Sequence, residues 1–477
     1  MKLYELLEGN AVTVLDDIEI MGITDNTKKV RKGYIFVCIK GENFDGHSMA
    51  KEMLEKGASV VITEHSLNLG EREIIVENTR DFYGMICAKW FEHPERKMKF
   101  IGVTGTNGKT TITNVIKKIL TDNGHKVGLI GTIQNEIGDE IIHTENTTPF
   151  TYDLMELYAK MADAGCDYVV MEVSSFGLYQ KRIGITHFST ALFTNLTQDH
   201  LDYHKTMENY YQAKKMLFDV CDNAIINTDD EYGKRLFDEI DKCKKYSYGE
   251  SENRDFSLKL VSINASGTNF ILKNSGEEYD VKMLMTGMFN VMNVTGAIAV
   301  CLTQGISIEK SIESVVNYGG VKGRCEVIPT GRDFSVICDY AHTPDAIENI
   351  LINVKKCTEK RLICLFGCGG NRDSAKRPKM AESAEKYADY LIITSDNPRN
   401  EKPEDIIDDI LKGLKNQKPY DIVTDRREAI YHALRIAEKG DVIVLAGKGH
   451  EDYQVLPDNV HIHFDEREIV AEGLKLI

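Results

Sequence analysis

The sequence predicts an α/β protein of three domains whose sheets are mostly parallel. Its 477 residues correspond to about three domains of ordinary size. The C-terminal third alternates apolar strand patterns with helix patterns, which is typical of a parallel sheet covered on both faces. A glycine-rich turn between an apolar strand pattern and a helix pattern lies near residue 105, and this unit belongs to the same class of fold. The expected domains are residues 1–97, 98–325 and 326–477.

The first stretch is predicted to form a small sheet with helices packed against it. Short runs of apolar and β-branched residues indicate strands, and apolar residues at helical spacing indicate helices. The strands are expected at residues 34–39, 59–62 and 73–76, and the helices at 48–56 and 81–91. The charged segment 93–97, which contains Pro94, is expected to link this stretch to the next.

The second and third stretches carry the longer strand and helix patterns. In the second, strands are expected at 128–131, 168–173, 190–195 and 224–227, and helices at 109–123, closed by Gly124, and at 207–219. In the third, strands are expected at 334–339, 361–366, 390–394 and 441–446, and helices at 345–355, 375–386, 403–414 and 426–438. Because parallel strands end at one edge of a sheet, the loops that follow them are expected to define a cleft.

The glycine-rich turn predicts a triphosphate site. Residues 104–111 read Thr-Gly-Thr-Asn-Gly-Lys-Thr-Thr and join a strand pattern to a helix pattern. Gly105 and Gly108 let backbone N–H groups point at phosphate oxygens, and the helix N-terminus adds its positive dipole end. Lys109 can reach the outer phosphates, and the Thr110 hydroxyl can ligate Mg²⁺. Only two residues separate the glycines, so the match is to a variant of the loop, and the alternative is a turn without a ligand.

Four further residues in the second stretch are candidates for chemistry. Glu172 lies at the end of an apolar strand pattern, where a carboxylate suits Mg²⁺; the alternative is a solvent-facing glutamate. His200 lies in a polar loop after the next strand and could bind a metal, although a lone loop histidine is usually a surface residue. Lys214 and Lys215 lie on a predicted helix, where residue type alone favours a solvated face.

Polar loops follow three predicted strands of the third stretch. The segment 396–399 reads Asp-Asn-Pro-Arg, which places opposite charges around a turn and suits a zwitterion. Arg399 could bind a carboxylate through two nitrogens of its guanidinium. Arg372 and the segment 447–451 follow the other two strands. The alternative for each loop is a turn with surface charge.

The composition of the chain limits the kinds of molecule it is expected to bind and the cell compartment in which it is expected to lie. The formal net charge of −16 argues against nucleic acid or an anionic membrane as a partner. Eleven cysteines without a Cys-x-x-Cys spacing fit a reducing cytoplasm. No segment approaches the roughly 18 consecutive apolar residues of a membrane span. We therefore expect a cytoplasmic protein without a signal peptide or membrane insertion.

The motifs along the chain resemble those of the Mur ligases, the ATP-dependent enzymes that build the peptide of peptidoglycan. The resemblance is collinear and covers essentially the whole chain. Its anchors are the loop at 104–111, Asn-Thr-Thr-Pro at 146–149, Met-Glu-Val-Ser-Ser at 171–175, Phe-Thr-Asn-Leu at 193–196, Asp-His-Leu-Asp-Tyr-His at 199–204, Ala-Lys at 213–214, Phe-Asn-Val-Met-Asn at 289–293, Gly-Arg-Cys-Glu at 323–326, Asp-Tyr-Ala-His-Thr-Pro-Asp at 339–345 and Gly-Lys-Gly-His-Glu at 447–451. The set is most similar to the members that add the third residue, and Asp-Asn-Pro-Arg at 396–399 is typical of those that add meso-diaminopimelate.

The resemblance implies an ATP-dependent acid–amino-acid ligase that forms ADP. Its substrates would be UDP-N-acetylmuramoyl-L-alanyl-D-glutamate and meso-diaminopimelate, joined through an acyl phosphate, and it would act as a monomer. It further implies an N-terminal α/β domain for the uridine nucleotide, a central P-loop-type ATPase domain and a Rossmann-like C-terminal domain for the amino acid. Two alternatives stay open. One is the same chemistry on L-lysine, another diamino acid or the substrate of a folyl-polyglutamate synthetase, and the other is a catalytically idle nucleotide-binding scaffold.

The resemblance also assigns roles to residues. It implies ATP and two Mg²⁺ ions as cofactors, with a CO₂-derived carbamate on Lys214. The implied catalytic set is Lys109, Glu172, His200 and Lys214, and the implied metal ligands are Thr110, Glu172, His200 and Lys214. Nucleotide contacts are expected at Gly105, Thr106, Asn107, Gly108, Lys109, Thr110, Thr111, Asn293, Arg324 and His342. Contacts with the muramyl dipeptide are expected at Thr24, Thr147, Thr148, Ser174, Gln180 and Arg182, and contacts with diaminopimelate at Arg372, Asp396, Asn397, Arg399, Gly447 and Glu451.

Two positions depart from the family's usual pattern. Phe176 follows the Ser-Ser pair, where many members have histidine. Residues 24–27 read Thr-Asp-Asn-Thr, where many members have Asp-Ser-Arg in the uridine-binding turn. The resemblance therefore assigns the ATP site more fully than the uridine contacts.

Overall fold

The computed structural model describes residues 1–7, 18–41, 44–144, 146–264, 267–415 and 417–477, with the side chains of Asp202 and Asn264 excepted. Within these residues the strands form sheets of four, eleven, six and two strands. The three larger sheets span residues 22–75, 99–283 and 326–446. Each of the three predicted stretches therefore has a sheet of its own.

The first sheet is entirely parallel. Its strands are β1 (Gly22–Thr24), β2 (Tyr34–Val37), β3 (Val60–Thr63) and β4 (Glu73–Ile75), in that spatial order, and its helices are α1 (Leu3–Leu7), α2 (Ala50–Lys56) and α3 (Thr79–Trp90). Helix α3 begins after Asn78, whose side-chain oxygen accepts a hydrogen bond from the Asp81 N–H at 3.0 Å. The three strands and two helices predicted here are present with slightly shifted bounds.

The central sheet extends a parallel core with antiparallel strands at both edges. Its strands are β5 (Lys99–Thr104), β6 (Val127–Ile130), β7 (Asn135–Ile137), β8 (Glu140–Ile142), β9 (Tyr168–Glu172), β10 (Phe188–Phe193), β11 (Cys221–Asn227), β12 (Lys244–Gly249), β13 (Phe256–Asn264), β14 (Gly267–Asn274) and β15 (Glu277–Met283). Their order is β15-β14-β13-β12-β11-β10-β5-β9-β6-β7-β8. The six neighbouring strands β12, β11, β10, β5, β9 and β6 are parallel. Strands β13–β15 pair antiparallel with one another, and β7 pairs antiparallel with both β6 and β8.

Helices cover both faces of the central sheet. They are α4 (Lys109–Asp122), α5 (Thr151–Asp163), α6 (Ser175–Tyr179), α7 (Leu201–His204), α8 (Met207–Lys215), α9 (Glu231–Glu239), α10 (Met288–Thr303) and α11 (Ile308–Val315). On one face, α4, α10 and α11 share a core with the parallel strands. On the other, one core continues from the first sheet through α3 and α5, so the first stretch packs directly on the central one. The single helix predicted at 207–219 is wrong in its last four residues, because α8 ends at Lys215 and a 3-10 turn spans Met216–Asp219.

The third stretch forms the predicted parallel sheet covered on both faces. Its strands are β16 (Glu326–Ile328), β17 (Ser335–Asp339), β18 (Leu362–Phe366), β19 (Tyr390–Ile393), β20 (Tyr420–Ile422) and β21 (Val442–Ala446), followed by the small hairpin β22 (Tyr453–Leu456) and β23 (Val460–His463). Its helices are α12 (Pro344–Lys355), α13 (Lys376–Tyr387), α14 (Pro403–Leu411), α15 (Arg426–Ile436) and α16 (Glu466–Gly473). The order is β16-β17-β21-β18-β19-β20, with only β16 antiparallel within this sheet. The neighbouring strands β21, β18 and β19 therefore direct their C-terminal loops to one edge.

Within the described ranges, no helix is both long enough and apolar enough to cross a membrane.

Candidate active site

The glycine-rich loop lies between β5 and α4, in close contact with neighbouring backbone and side chains. Gly105 has φ +144°, and a Cβ there would lie 1.8 Å from Thr194 Oγ1. Gly108 has φ +91°, and a Cβ there would lie 2.6 Å from Oδ1 of Asn293. Both positions need a left-handed backbone and leave no room for a side chain, so each requires glycine. The loop leads directly into the N-terminus of α4, as a phosphate site requires.

Two lysine side chains meet at one carbonyl of this loop. Lys109 Nζ donates to the carbonyl oxygens of Gly105 and Thr106, each at 2.9 Å, and Lys214 Nζ donates to Gly105 at 2.8 Å. Lys214 is only 2% exposed, so the solvated helix face that its residue type favours is wrong. Burial lowers the pKa of both amines, and the charge of Lys109 lowers the pKa of Lys214 further. A neutral amine is the form that reacts with CO₂, so these surroundings suit a carbamate on Lys214.

Glu172 is buried at the end of β9 and held by Thr132. The Thr132 N–H donates to Oε1 and the Thr132 hydroxyl donates to Oε2, both at 3.0 Å. The same hydroxyl lies 3.0 Å from Thr147 Oγ1. The charges of Glu172 and Asp199 also act on the Lys109 ammonium. The alternative of a solvent-facing glutamate is therefore wrong, since this carboxylate is fixed beside the phosphate loop.

His200 lies at the edge of this arrangement. Its side chain is 45% exposed, and Nε2 lies 3.4 Å from Asp199 Oδ2. The ring of Phe176, the residue that departs from the family pattern, lies 5.1 Å from the His200 ring. His204, which sequence reasoning did not single out, is buried instead, with Nε2 2.9 Å from Ser175 Oγ. Phe176 therefore supports the loop that carries both histidines.

A carbamate on Lys214 would add an oxygen donor for Mg²⁺ beside the phosphate loop. In the part of the chain that the structure describes, no three His, Cys, Asp or Glu side chains form a metal-binding group. Thr110, Glu172 and Lys214 nevertheless adjoin the same loop and present a hydroxyl, a carboxylate and an amine. A carbamate would convert that amine into a second carboxylate. Hard oxygen donors of this kind are the ligands that Mg²⁺ prefers.

Four residues expected to hold the muramyl dipeptide form one hydrogen-bonded cluster. Arg182 donates from Nη1 to the Thr148 carbonyl at 2.8 Å, and from Nε and Nη2 to Gln180 Oε1 at 3.0 and 2.9 Å. Thr148 Oγ1 accepts from the Ser174 N–H and donates to the Glu172 carbonyl, both at 3.0 Å. The cluster is thus joined to the backbone of the buried glutamate, which brings the two predicted subsites together.

The turn at residues 24–27 is stabilised by its own side chains. Thr24 ends β1, and its hydroxyl accepts a hydrogen bond from the Asn26 N–H at 3.0 Å. Tyr83 on α3 donates from its hydroxyl to Asp25 at 3.4 Å. Burial raises the pKa of the Asp25 carboxyl. The sequence that replaces Asp-Ser-Arg therefore forms an ordered turn against the first domain's helix.

Gly323 and Arg324 bring the third stretch onto the phosphate loop. Arg324 Nη2 lies 3.5 Å from Oγ1 of Thr110. Gly323 has φ +70°, and a Cβ there would lie 2.0 Å from the backbone nitrogen of His450. Two consecutive residues therefore contact both the first turn of α4 and the segment 447–451.

The other two expected nucleotide contacts lie near the same residues. Asn293 is buried on α10 against Gly108. His342 follows β17 and is exposed, with Nδ1 2.8 Å from the Tyr340 carbonyl oxygen. The guanidinium carbon of Arg324 lies 4.8 Å from the centre of the Tyr340 ring. The structure thus places residues from both sheets around the phosphate loop.

A buried polar cluster lies between the loops that follow β19 and β21. Asn397 donates from Nδ2 to Glu451 Oε2 at 2.9 Å. Asp396 is 7% exposed and adjoins Gly447, where a Cβ would lie 2.6 Å from Asp396 Oδ2. Burial raises the pKa of Glu451; among its neighbours Lys448 opposes this rise and Asp396 adds to it. The residues expected to hold the amino acid therefore form one cluster around Lys448, which sequence reasoning did not single out.

Arg399 and Arg372 flank the same glycine at the edge of this cluster. A Cβ on Gly369 would lie 2.9 Å from Arg399 Nη1 and 3.7 Å from Arg372 Cγ. Arg399 Nη1 donates to the Gly370 carbonyl oxygen at 3.0 Å. Among the residues described, neither arginine forms an ion pair with a carboxylate. Two arginine side chains thus lie beside one glycine at the predicted edge, and neither has an acidic partner within the described ranges.

Comparison with known proteins identifies the family. The Mur ligase family, catalytic domain, the Mur ligase middle domain and the Mur ligase, glutamate ligase domain match residues 19–89, 103–301 and 323–449. A relative from Clostridium acetobutylicum, named UDP-N-acetylmuramoyl-L-alanyl-D-glutamate--2,6-diaminopimelate ligase 1, is 46% identical over 476 residues, which cover 99% of this chain and 97% of the relative. The chain belongs to the Mur ligase family.

Further relatives support the same assignment. A Clostridium tetani protein named UDP-N-acetylmuramoyl-L-alanyl-D-glutamate--2,6-diaminopimelate ligase is 44% identical over 485 residues and covers 99% of each chain. A solved structure of a ligase with that name is 29% identical, superposes with a TM-score of 0.74, and covers 100% of this chain and 99% of its own. These matches confirm the predicted ligase and the predicted α/β architecture of the Mur ligases. The roles of individual side chains stay predictions.

Proposed function

We propose that this Mur ligase joins meso-diaminopimelate to UDP-N-acetylmuramoyl-L-alanyl-D-glutamate, at the expense of ATP, in the synthesis of the peptidoglycan precursor. The observation that carries the choice of amino acid is the cleft at the C-terminal edge of the third sheet. It combines a buried carboxylate at Asp396 and a partly buried one at Glu451 with the arginines Arg399 and Arg372. A diamino dicarboxylate has ammonium groups for the carboxylates and a distal carboxylate for the arginines. Relatives that are more than 40% identical are named as diaminopimelate ligases, which supports the same substrate.

The reaction proceeds by activation of an acyl group. The γ-carboxylate of the D-glutamate unit attacks the γ-phosphorus of ATP and forms an acyl phosphate, with ADP as leaving group. The amine of diaminopimelate attacks that carbonyl, and the tetrahedral intermediate expels phosphate. Because a carboxylate attacks a triphosphate, cations are the main requirement. From this chain, Lys109 and Arg324 would supply positive charge, and the loop N–H groups would donate hydrogen bonds to phosphate oxygens.

The Lys109 amine lies against the phosphate loop. Its amine is held by two loop carbonyls, so a bound phosphate would replace neutral acceptors with a charged one. Thr110, Glu172, His200 and carbamylated Lys214 would hold two Mg²⁺ ions, which neutralise phosphate charge when bound. The cluster of Arg182, Gln180 and Thr148 would orient the peptide next to Glu172.

The three sheets divide this work among three domains. We infer boundaries at 1–97 for the uridine nucleotide, 98–325 for ATP and 326–477 for the amino acid. The core shared by the first two sheets supports a fixed relation between them. Arg324 contacts Thr110, and the adjacent Gly323 packs against His450 of the third domain. Together these contacts support a closed state in which the third domain covers the phosphates and excludes water from the acyl phosphate. We place this enzyme in the cytoplasm as a monomer.

The test is ADP release with a panel of amino acids. The purified protein is given ATP, Mg²⁺, the muramyl dipeptide nucleotide and either meso-diaminopimelate, L-lysine or L-ornithine. ADP should form with meso-diaminopimelate and depend on the dipeptide nucleotide, and lysine should be disfavoured by about 10⁴-fold in kcat/KM because both arginines would lack a partner. Equal turnover of lysine would contradict the proposed substrate. Absence of ADP with every combination would favour the idle scaffold.

A further inference from the structure

Lys448 occupies the centre of the amino-acid cleft although it belongs to a glycine-flanked turn. None of its side chain is exposed. Its Nζ donates to Asn397 Oδ1 at 2.9 Å, to Glu451 Oε2 at 3.1 Å and to the Tyr453 carbonyl oxygen at 2.7 Å. An ammonium group has three N–H donors, and a buried one is costly unless each is bonded and its charge is paired. Here three acceptors meet these donors, so the cluster is built around this charge.

These bonds determine which atoms are left for a ligand. Asn397 Oδ1 also accepts from the Val455 N–H at 3.0 Å, so Nδ2 is the atom that points to Glu451 Oε2. Two donors therefore converge on Oε2, whereas Oε1 makes no hydrogen bond among the described residues. Asp396 Oδ1 lies 3.9 Å from the same Lys448 amine. Two carboxylates beside one ammonium leave an unbalanced negative charge, which suits an incoming ammonium group.

We propose that Lys448 is a positioning residue of the amino-acid site: its buried ammonium keeps the Glu451 carboxylate ionised and aimed at an ammonium group of the incoming diamino acid. This inference rests on the proposed function for the identity of that amino acid. It adds a residue that makes no contact with the substrate itself and acts through Glu451 and Asn397.

The charges around Glu451 explain why the lysine is needed. The titratable groups that face this cluster are Lys448, Asp396, Tyr340, Tyr453, Asp452, Arg399 and Arg426. Burial raises the pKa of Glu451, Lys448 lowers it and Asp396 raises it. Without the Lys448 charge, burial and Asp396 both favour the protonated acid. A neutral carboxylic acid no longer pairs with a substrate ammonium, although it regains its charge as the pH rises.

The first test is the pH dependence of KM in Lys448→Met. This variant keeps a long apolar side chain and loses the charge. Lys439→Met serves as control, because that lysine lies in the same domain with its side chain 79% exposed. Measured with the amino acid that the wild type ligates best, KM for that amino acid should rise roughly 30-fold at pH 7 and only about 3-fold at pH 9, while KM for ATP stays within about 3-fold. A KM increase that is equal at both pH values, or absent, overturns the proposal.

The second test needs no activity. In Lys448→Met the raised pKa of Glu451 means that the folded protein binds a proton more tightly than the unfolded chain. The stability gained in this way is present below the unfolded pKa of about 4.3 and is lost as the pH rises through the folded pKa. The Tm of Lys448→Met should therefore fall from pH ~5 to pH ~9 relative to wild type, and the added substitution Glu451→Gln should abolish that extra fall.

The outcomes separate this inference from the proposed function. If the wild type prefers L-lysine, the proposed substrate is wrong, but the KM measurements and the Tm measurements still test the role of Lys448. If Lys448→Met does not fold, Lys448→Gln takes its place. Failure of both variants to fold, or an identical pH profile of Tm with and without Glu451→Gln, overturns the proposal because the lysine then serves only the fold.

Discussion

Replacing Lys109 with methionine separates the chemistry of the phosphate loop from its stability. In the folded protein the Lys109 ammonium is bonded to two carbonyl oxygens of the loop, Gly105 and Thr106. Each hydrogen bond to a charged group contributes about 1.5–3 kcal/mol, so their loss costs roughly 3–6 kcal/mol. Removing a buried ammonium saves several kcal/mol of desolvation. Because these effects oppose each other, the net change in the free energy of unfolding should stay within ~2 kcal/mol.

The loss of activity in Lys109→Met is not offset by an opposing effect. Loss of one preorganised charge at the reacting phosphate raises the barrier by about 3–4 kcal/mol, or 10²–10³-fold in kcat. A stability change of ~2 kcal/mol moves Tm by roughly 4–8 °C in a domain of 150–250 residues. Lys109→Met should therefore be nearly inactive while its Tm changes by no more than ~8 °C. ADP release and a thermal unfolding scan measure the two quantities on one preparation.

The control is Lys118→Met on the same helix. Lys118 is partly exposed and pairs with Asp122 at 2.7 Å, so its loss should change neither quantity appreciably. Turnover of Lys109→Met within threefold of wild type, on the order of 0.6 kcal/mol, would remove this lysine from the mechanism. A fall in Tm far beyond ~8 °C would show that the lysine serves the fold instead.

Three further outcomes are expected. Lys214→Ala should be nearly inactive and partly rescued by acetate, which can take the place of a carbamate; normal activity that is indifferent to bicarbonate depletion would return Lys214 to a structural role. Arg399→Ala should raise KM for diaminopimelate at least ~10-fold with KM for ATP unchanged, and equal increases in both would argue against a contact with the amino acid. Burial alone would raise the pKa of Asp441, but hydrogen bonds from Arg361 and the backbone lower it. This carboxylate therefore stabilises the fold at pH values above its unfolded pKa, and that stability is lost as the pH falls through its folded pKa. Asp441→Asn should accordingly lower Tm at pH 7, and its difference from wild type should shrink as the pH falls below the usual aspartate pKa of about 3.9. A difference in Tm that does not change with pH would contradict this reasoning.

Local signals in the sequence were sufficient for the phosphate loop and the third sheet. The loop at 104–111 needs a strand, two glycines and a helix start in adjacent positions, and all of these are encoded within a few residues. The third sheet follows from repeated alternation of strand and helix patterns. In contrast, strands β13–β15 were not predicted, although β14 and β15 are joined by the two-residue turn Ser275-Gly276, whose φ values of +53° and +89° are typical of a tight hairpin. Their position beside β12 is a property of the folded sheet.

The two buried lysines show where residue type misleads. Lys214 lies on a helix whose sequence is compatible with a solvated face, and Lys448 stands between two glycines in a turn. Both are buried because acceptors from distant segments converge on them: Gly105 lies 109 positions from Lys214, and Asn397 lies 51 positions from Lys448. Family resemblance singled out Lys214, whereas nothing in the sequence reasoning singled out Lys448. The burial of such a charge is decided by tertiary packing.

The contacts of Gly323 and Arg324 fix the spacing between two pockets of the enzyme. Gly323 contacts the turn that carries Lys448 and Glu451, and Arg324 contacts the first turn of α4. The distance between the amino-acid pocket and the nucleotide pocket is therefore measured by a single peptide unit. The chain can accommodate substitutions elsewhere in the connection between the second and third sheets. One residue inserted between 323 and 324 would instead displace the two pockets relative to each other by about 3.8 Å, the length of one residue. This dipeptide should accordingly tolerate a change of length less well than any exposed loop.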